Sequence, residues 1–325
     1  MIVDLPNTTT NAINRKLVDL RNDGGAVALG RVLTLVLAVD EFGADAAIST
    51  ANDASCEHPC RVVAIVRANK RGSSRLDAQI RVGGDAGASE VIVLRLYGPL
   101  SSHGESLIVP LLLPDAPIVV WWPGIAPDVP AQDPIGRMAQ RRITDAAQEK
   151  LPVRALLRLG EGHVPGDTDL AWSRITRWRA LLAAALDQPP YDPVTRATVT
   201  GASDSPSTEL LAAWLAFALK CPVTRKKTPP GTGMIGVTLV RSSGKVTLER
   251  PDGTVGTLTQ PGQPVRRIAM HRRSDVDCLI EELRRLDPDE LFADVLTKGL
   301  PALHPPKGSR SEHSHVEDNP EVAAV

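Results

Sequence analysis

The chain has 325 residues, with 42% hydrophobic and 23% charged side chains, ordinary proportions for a soluble globular protein. That length is generous for one hydrophobic core and comfortable for two. A formal net charge of −1 asks for neither nucleic acid nor an anionic membrane, and four cysteines are too few for a disulfide scaffold.

The opening residues 1–11 place no basic segment ahead of an apolar one, so they do not read as a signal peptide. The longest apolar run, Val32 to Val39, is far short of the roughly 20 residues that span a bilayer. A cytoplasmic protein without membrane contact is therefore expected.

In chain order, Leu5 to Leu20 predicts a capped amphipathic helix with Ile13, Leu17 and Leu20 on one face, stopped at Asn22-Asp23-Gly24-Gly25. Arg31 to Asp40 and Arg61 to Arg67 are apolar, branched strands. Arg75 to Val82 alternates Leu76, Ala78, Ile80 and Val82 with polar residues, the signature of a half-exposed strand. Gly83-Gly84-Asp85 reads as a loop, and Glu90 to Tyr97 as an antiparallel neighbour of the strand before it. His103 to Leu113 predicts a short helix.

Pro114-Asp115-Ala116-Pro117 then breaks the chain, and Ile118 to Trp122 reads as a buried strand delivering two tryptophans to its carboxyl end. An open α/β sheet presents its site at such ends. Trp121 and Trp122, as neighbours on a strand, face opposite ways. Asp133-Pro134 predicts a helix start, Arg141 to Asp145 a short strand or turn, and Ala146 to Leu159 a helix broken near Pro152. Leu170 to Leu186 predicts one long helix, with Trp172, Ile175, Trp178 and Leu182 to one side and Arg174 and Arg177 away from it.

Pro189 to Pro193 marks a change of pattern and the expected boundary between an N-terminal domain (1–190) and a second domain (191–300). After it come a strand at Ala197 to Thr200, a helix starting at Ser205-Pro206, and a basic loop from Lys220 to Gly231. Four strands follow in quick succession between Met234 and Met270, turned at Ser243-Gly244 and Asp252-Gly253. Ser274-x-x-Asp277 predicts a capping box, and Asp287-Pro288 starts a last helix ending at Gly299. Residues 301–325 have almost nothing to bury and read as a disordered tail. The expected fold class is α/β: an N-terminal mixed open sheet with flanking helices, followed by a smaller α+β domain with an antiparallel sheet.

Sequence motifs for catalysis are weak. Gly231-Thr-Gly233-Met-Ile-Gly236 has the G-x-G-x-x-G spacing, but a strand rather than a helix follows, so the amides that cradle a pyrophosphate are missing. There is no P-loop, H-E-x-x-H or G-x-S-x-G sequence. Cys56-Glu-His58-Pro-Cys60 is half of a zinc motif, or a candidate redox pair of Cys56 and Cys60, or two unlinked thiols before a strand. No metal site and no cofactor is assigned. Asp115, Asp133, Asp145, Asp167 and Asp169 are acid–base candidates that all stand at turns or helix starts, where Asp is ordinarily structural.

Taken together, His58-Pro-Cys-Arg-Val62, Arg75-Leu-Asp-Ala-Gln-Ile80, Leu113-Pro-Asp-Ala-Pro117 running into Trp121-Trp122, Arg141-Arg-Ile-Thr-Asp145, the stretch from Pro165 to Arg179, and Pro261-Gly-Gln-Pro264 resemble the glucose-6-phosphate dehydrogenase assembly protein family (OpcA-type). The order of these stretches across about 300 residues carries the resemblance. It implies a non-catalytic cytoplasmic accessory protein that binds glucose-6-phosphate dehydrogenase and promotes its assembly or activation in the oxidative pentose phosphate pathway. Family members commonly read His-Pro-Ser-Arg where this chain has Cys60, so the Cys56/Cys60 pair is particular to this sequence.

Partner surfaces concentrate aromatic and Arg anchors. The expected docking residues are Trp121, Trp122, Arg141, Arg142, Arg174, Arg177 and Trp178. The alternative is an enzyme or small-molecule sensor holding a sugar phosphate or nucleotide at the carboxyl end of the N-terminal sheet.

Overall fold

Branched apolar runs separated by turn residues pair into one large sheet in the first half of the chain. A computed structural model describes residues 1–23, 31–82 and 90–304. Its first half contains, in order, β1 (Ile2–Leu5), α1 (Thr10–Asp23), β2 (Leu33–Asp40), α2 (Ala44–Ser55), β3 (Cys60–Arg67), β4 (Arg75–Val82), β5 (Glu90–Tyr97), α3 (Gly104–Ile108), β6 (Ile118–Trp121), β7 (Arg141–Thr144), α4 (Pro152–Glu161) and β8 (Asp167–Asp169).

The eight strands lie in the order β1-β4-β5-β3-β2-β6-β7-β8. From β5 to β8 every pairing is parallel; β4 pairs antiparallel with β5, and β1 with β4. Numbered by their own chain order, the six parallel strands run 3-2-1-4-5-6, the doubly wound arrangement whose switch point lies between its first and fourth strands. Here those are β2 and β6.

Both faces of this sheet are covered, which explains the unbroken apolar runs. On one face Leu35, Leu37, Val62, Val119 and Trp121 pack under α2. On the other, Val36, Val63, Ile92, Val120 and Trp122 pack against Ile13 and Leu17 of α1. Trp121 and Trp122 thus take opposite faces, as their spacing predicts.

The second half contains α5 (Leu170–Ser173), α6 (Thr176–Leu186), β9 (Arg196–Ala202), α7 (Pro206–Leu219), β10 (Val223–Thr228), β11 (Met234–Arg241), β12 (Gly244–Glu249), β13 (Val255–Thr259), β14 (Arg266–Ala269), α8 (Asp275–Arg284), α9 (Glu290–Asp294) and α10 (Leu300–Leu303). Its sheet runs β10-β9-β11-β12-β13-β14 and is antiparallel except for the β9–β10 pair, joined through α7. Ser205 caps α7 by accepting from the Thr208 amide, and the Ser274–Asp277 capping box starts α8. The fold class is the one the sequence predicts.

Local expectations differ in several places, among them the unpredicted strands β1 and β8. The sequence reading gave no helix between β2 and β3, where α2 lies. The single helix over Leu170 to Leu186 is two, because the chain turns at Arg174-Ile175. Asp133 caps only a short 3-10 turn, accepting from the Ile135 and Gly136 amides. The basic loop after Lys220 contains the edge strand β10, whose charges protect an open edge. Finally, Gly299 does not end the last helix: a π-turn over Val295–Gly299 runs into α10.

The largest difference is the place of α8. Chain order assigns it to the second sheet, yet Cys278, Leu279 and Leu283 pack on the first sheet beside α2. Conversely, Leu156, Trp172, Ile175 and Trp178 share a core with the second sheet and α7. Residues 24–25, the Gly83-Gly84-Asp85 loop and residues 305–325 of the expected tail lie outside the described residues.

Candidate functional site

At the β2–β6 switch point, outside the carboxyl ends of the strands, the chain forms a crevice of about 440 Å³. Asp40 and Arg67, register partners at the ends of β2 and β3, stand on its floor beside Trp121. Phe42 and Ile125 form its lip, the first fully exposed and the second 66% exposed. Asp275, the first residue of α8, closes one side, so the crevice draws on both halves of the chain.

Its electrostatics are unlike those of a dinucleotide cradle. The turn from β2 into α2 reads Asp40-Glu41-Phe42-Gly43-Ala44-Asp45. Glu41 and Asp45 are exposed carboxylates at the start of α2, where they complement the helix dipole themselves. Arg95 serves both, 3.2 Å from Glu41 and 4.0 Å from Asp45. Asp40 makes no cap hydrogen bond, and Arg67 has no ion-pair partner among the described residues. The buried Trp121 indole N–H has no acceptor.

The arginines expected to face a partner are engaged inside the fold. Arg142, 7% exposed, donates to the Ala139 and Pro165 carbonyls at 2.7 Å each and pairs with Asp167 through Nε. Arg141, 5% exposed, pairs with Glu282 of α8 and donates to the Asp287 carbonyl at 2.9 Å. Ser173 donates to the other Glu282 oxygen. Arg174 holds Asp145 with two bonds of 2.7 Å and Asp275 with a third. These pairs bolt β7, β8 and α5 to α8.

The sequence expectation of a docking surface is corrected accordingly. Trp121, Trp122 and Trp178 are buried with the sheet and helix cores, and Arg141 and Arg142 are buried with their carboxylates. Arg174 is largely covered by its ion pairs, with 19% of its side chain exposed. Of the seven residues, Arg177 is the exposed one. Physically, a guanidinium near a fixed carboxylate gains more from a bidentate pair than from solvation at a surface it cannot reach.

Nor do the acids assemble a reactive centre. Asp169 is fully enclosed: one oxygen accepts from Thr144 Oγ1 at 2.7 Å and the Ala146 amide at 2.9 Å, the other from the Ala171 amide at 2.8 Å. Burial, then the neighbouring Asp145 carboxylate, pushes its pKa up to about 7. The cavity beside it, with His163 and Thr168, is about 10 Å³, room for one water and not a substrate. Asp145 is spoken for by Arg174 and the Ala147 amide. Among the described residues no three His, Cys, Asp or Glu side chains group to hold a metal ion.

Cys56 and Cys60 are both free thiols. Cys56 lies exposed at the end of α2, while Cys60 begins β3 inside the core. Burial pushes the Cys60 thiol up to about 12 and the Cys278 thiol likewise.

Two family models match the chain in succession. One described as the glucose-6-phosphate dehydrogenase subunit N-terminal domain covers residues 51–161, and one described as its C-terminal domain covers 165–296. The chain belongs to the glucose-6-phosphate dehydrogenase assembly protein family. The two matches meet just before β8, so the buried ion pairs of Arg141 and Arg142 join one matched segment to the other.

A search of curated proteins finds no match to the chain. Among solved structures it is similar to an oxidoreductase from Sinorhizobium meliloti (11% identity, 84% of this chain and 95% of that one, TM-score 0.47). It is similar also to a glucose-6-phosphate 1-dehydrogenase from Mycobacterium avium (10%, 84% and 92%, TM-score 0.42). A third is a 3-ketoreductase from Actinomadura kijaniata in complex with NADP (8%, 82% and 95%, TM-score 0.42).

Sequence reasoning passed over Phe42 and Ile125. The available signals are local: a lone aromatic inside an acidic turn, and an isoleucine displayed directly after Pro123-Gly124.

Proposed function

We propose that this protein is a non-catalytic, cytoplasmic accessory protein that binds glucose-6-phosphate dehydrogenase and promotes its assembly or activation, supporting the oxidative pentose phosphate pathway. Family membership supports this choice of partner. The observation that supports docking is the switch-point crevice. It exposes Phe42 and Ile125 at a place where an open α/β sheet ordinarily holds a ligand. An aromatic side chain left wholly in water forfeits its burial energy unless a partner covers it. The carboxylates of Asp40, Glu41 and Asp45 around it fit a partner segment that brings a basic residue beside an apolar one. Arg177 remains as an exposed contact from the expected set.

Light scattering after size exclusion, on this protein, the dehydrogenase and their mixture, followed by steady-state kinetics, tests the reading. A new, heavier species with altered kinetics supports it. Separate elution with unchanged kinetics overturns it.

The 3-2-1-4-5-6 order and the crevice volume favour a second reading, a sensor for a sugar phosphate or nucleotide at the same strand ends. The carboxylates at the start of α2 oppose it, because they repel phosphate from the helix N-terminus. Calorimetric titration of NADP into the protein alone separates the two: heat abolished by Phe42→Ser and Asp40→Asn favours the sensor.

A further inference from the structure

A second crevice, of about 320 Å³, opens where the start of α7 meets α6 and the turns beyond β10 and β12. Its walls include Trp178, Ser205, Ser207, Gly233, Arg250 and Arg272. Four arginines line it, and they divide into two kinds. Arg174 is neutralised by Asp145 and Asp275, and Arg273 by Glu281. Arg250 and Arg272 have no carboxylate within ion-pair distance among the described residues.

Arg250 is the unusual one. It is 6% exposed, its Nη1 donates to the Met270 carbonyl at 2.9 Å, and its Nε–H is buried without an acceptor. Its guanidinium lies 5.2 Å from the Trp178 ring centre. Burial, and then the charge of Arg272, hold it below the usual arginine value, with the Asp252 carboxylate offsetting them only in part. A desolvated guanidinium beside a second one is costly when no carboxylate reaches ion-pair distance.

Arg272 is held in place by backbone. Nη2 donates to the Thr232 carbonyl at 2.5 Å. A Cβ at Gly233 would stand 3.0 Å from its Cζ, and one at Gly253 3.2 Å from its Nε. Both glycines have positive φ, +70° and +74°, so a side chain there is strained as well as crowded. Gly233 and Gly253 therefore leave the room that the Arg272 side chain occupies. Opposite stands the first turn of α7, a 14-residue helix; Pro206 has no N–H and the Thr208 amide is bound by Ser205 Oγ, so the Ser207 amide is the one this turn offers to negative charge. Asp204 also lines the crevice, its Oδ1 accepting from the Gly231 amide at 3.2 Å; Asp252 is bound to the Thr254 and Val255 amides.

We propose that this crevice binds a small phosphorylated metabolite, its phosphate seated between Arg250, Arg272 and the first turn of α7. The volume suits a small ligand and not a polymer. Two guanidiniums with a serine-rich helix start match the several acceptor oxygens of a phosphoryl group.

The test uses the full chain alone, so its outcome is independent of the dehydrogenase reading. Orthophosphate, pyrophosphate and glucose 6-phosphate are titrated in turn by calorimetry. Saturable one-site binding is expected, tighter for pyrophosphate or glucose 6-phosphate than for orthophosphate. Losing one charge-assisted contact in Arg272→Gln should weaken it about tenfold or more. Arg250→Lys should weaken it too, while Lys298→Gln, in the π-turn, should not. Absence of binding at millimolar ligand overturns the proposal, as do unchanged affinities in both arginine variants. Equal affinity for all three ligands overturns the metabolite. Should Arg250→Lys fail to fold, Arg272→Gln, more exposed, decides alone.

Discussion

Arg142 uses its Nε and both terminal nitrogens inside the fold, on Asp167 and on two carbonyls. Removing the guanidinium leaves Asp167 with the Val164 amide in place of its ion pair and takes the arginine donors from the Ala139 and Pro165 carbonyls. Arg142→Met is therefore expected to cost roughly 3–5 kcal/mol, read by urea denaturation. A loss below 1 kcal/mol, roughly the worth of an exposed pair, would contradict this placement. Thiol chemistry sorts the cysteines at the same scale. Cys56, exposed to solvent, should label readily with iodoacetamide at pH 8. Cys60 and Cys278, pushed up to about 12 by burial, should label only on unfolding. Mass spectrometry of the native protein checks this; native labelling of Cys60 at the rate of Cys56 would contradict it.

The turns and caps of individual elements were the most legible part of the sequence. Ser205, Ser274 and the alternation in β4 each carry their signal within a few residues, and each appears in the structure. The arginines were not legible, because the carboxylate of Arg141 is 141 residues away in sequence. Periodicity likewise gives α8 an apolar face without saying which sheet it covers. Asp252 offers a test at this scale. Val255 and Thr254 amides bind its carboxylate between β12 and β13 and hold its pKa to about 2. The folded value lies below the unfolded one, near 3.9, so its contribution is full above that range and is lost as pH falls through about 2. Asp252→Ala should thus lower Tm at pH 7, with the deficit shrinking toward pH 2. A deficit independent of pH would contradict the carboxylate's role.

At the scale of the whole molecule the two sheets are not independent bodies. Trp172 and Trp178 precede the proposed boundary at Pro189–Pro193 yet fill the second core, while α8 follows it and covers the first sheet. A fragment ending at residue 190 would expose those tryptophans and strip α8 from α2. It is expected to lose cooperative unfolding, checked by denaturant titration followed by Trp fluorescence; a sharp transition with native-like emission would contradict a shared core. The boundary is then a proposal about sequence pattern and not about separable folding units. The doubly wound sheet was only partly legible for the same reason: its strands are local, but the order that creates the switch-point crevice is not. The central claim is that this crevice docks the dehydrogenase. Its most direct measurement is calorimetric titration of the dehydrogenase with the native protein and with Phe42→Ser, with Tyr191→Ala, another exposed aromatic, as the control. The account predicts binding by the native chain and the control, and a loss of about tenfold or more in Phe42→Ser with its fold intact. Binding by all three with equal affinity would contradict the surface, and no binding by the native chain would contradict the function.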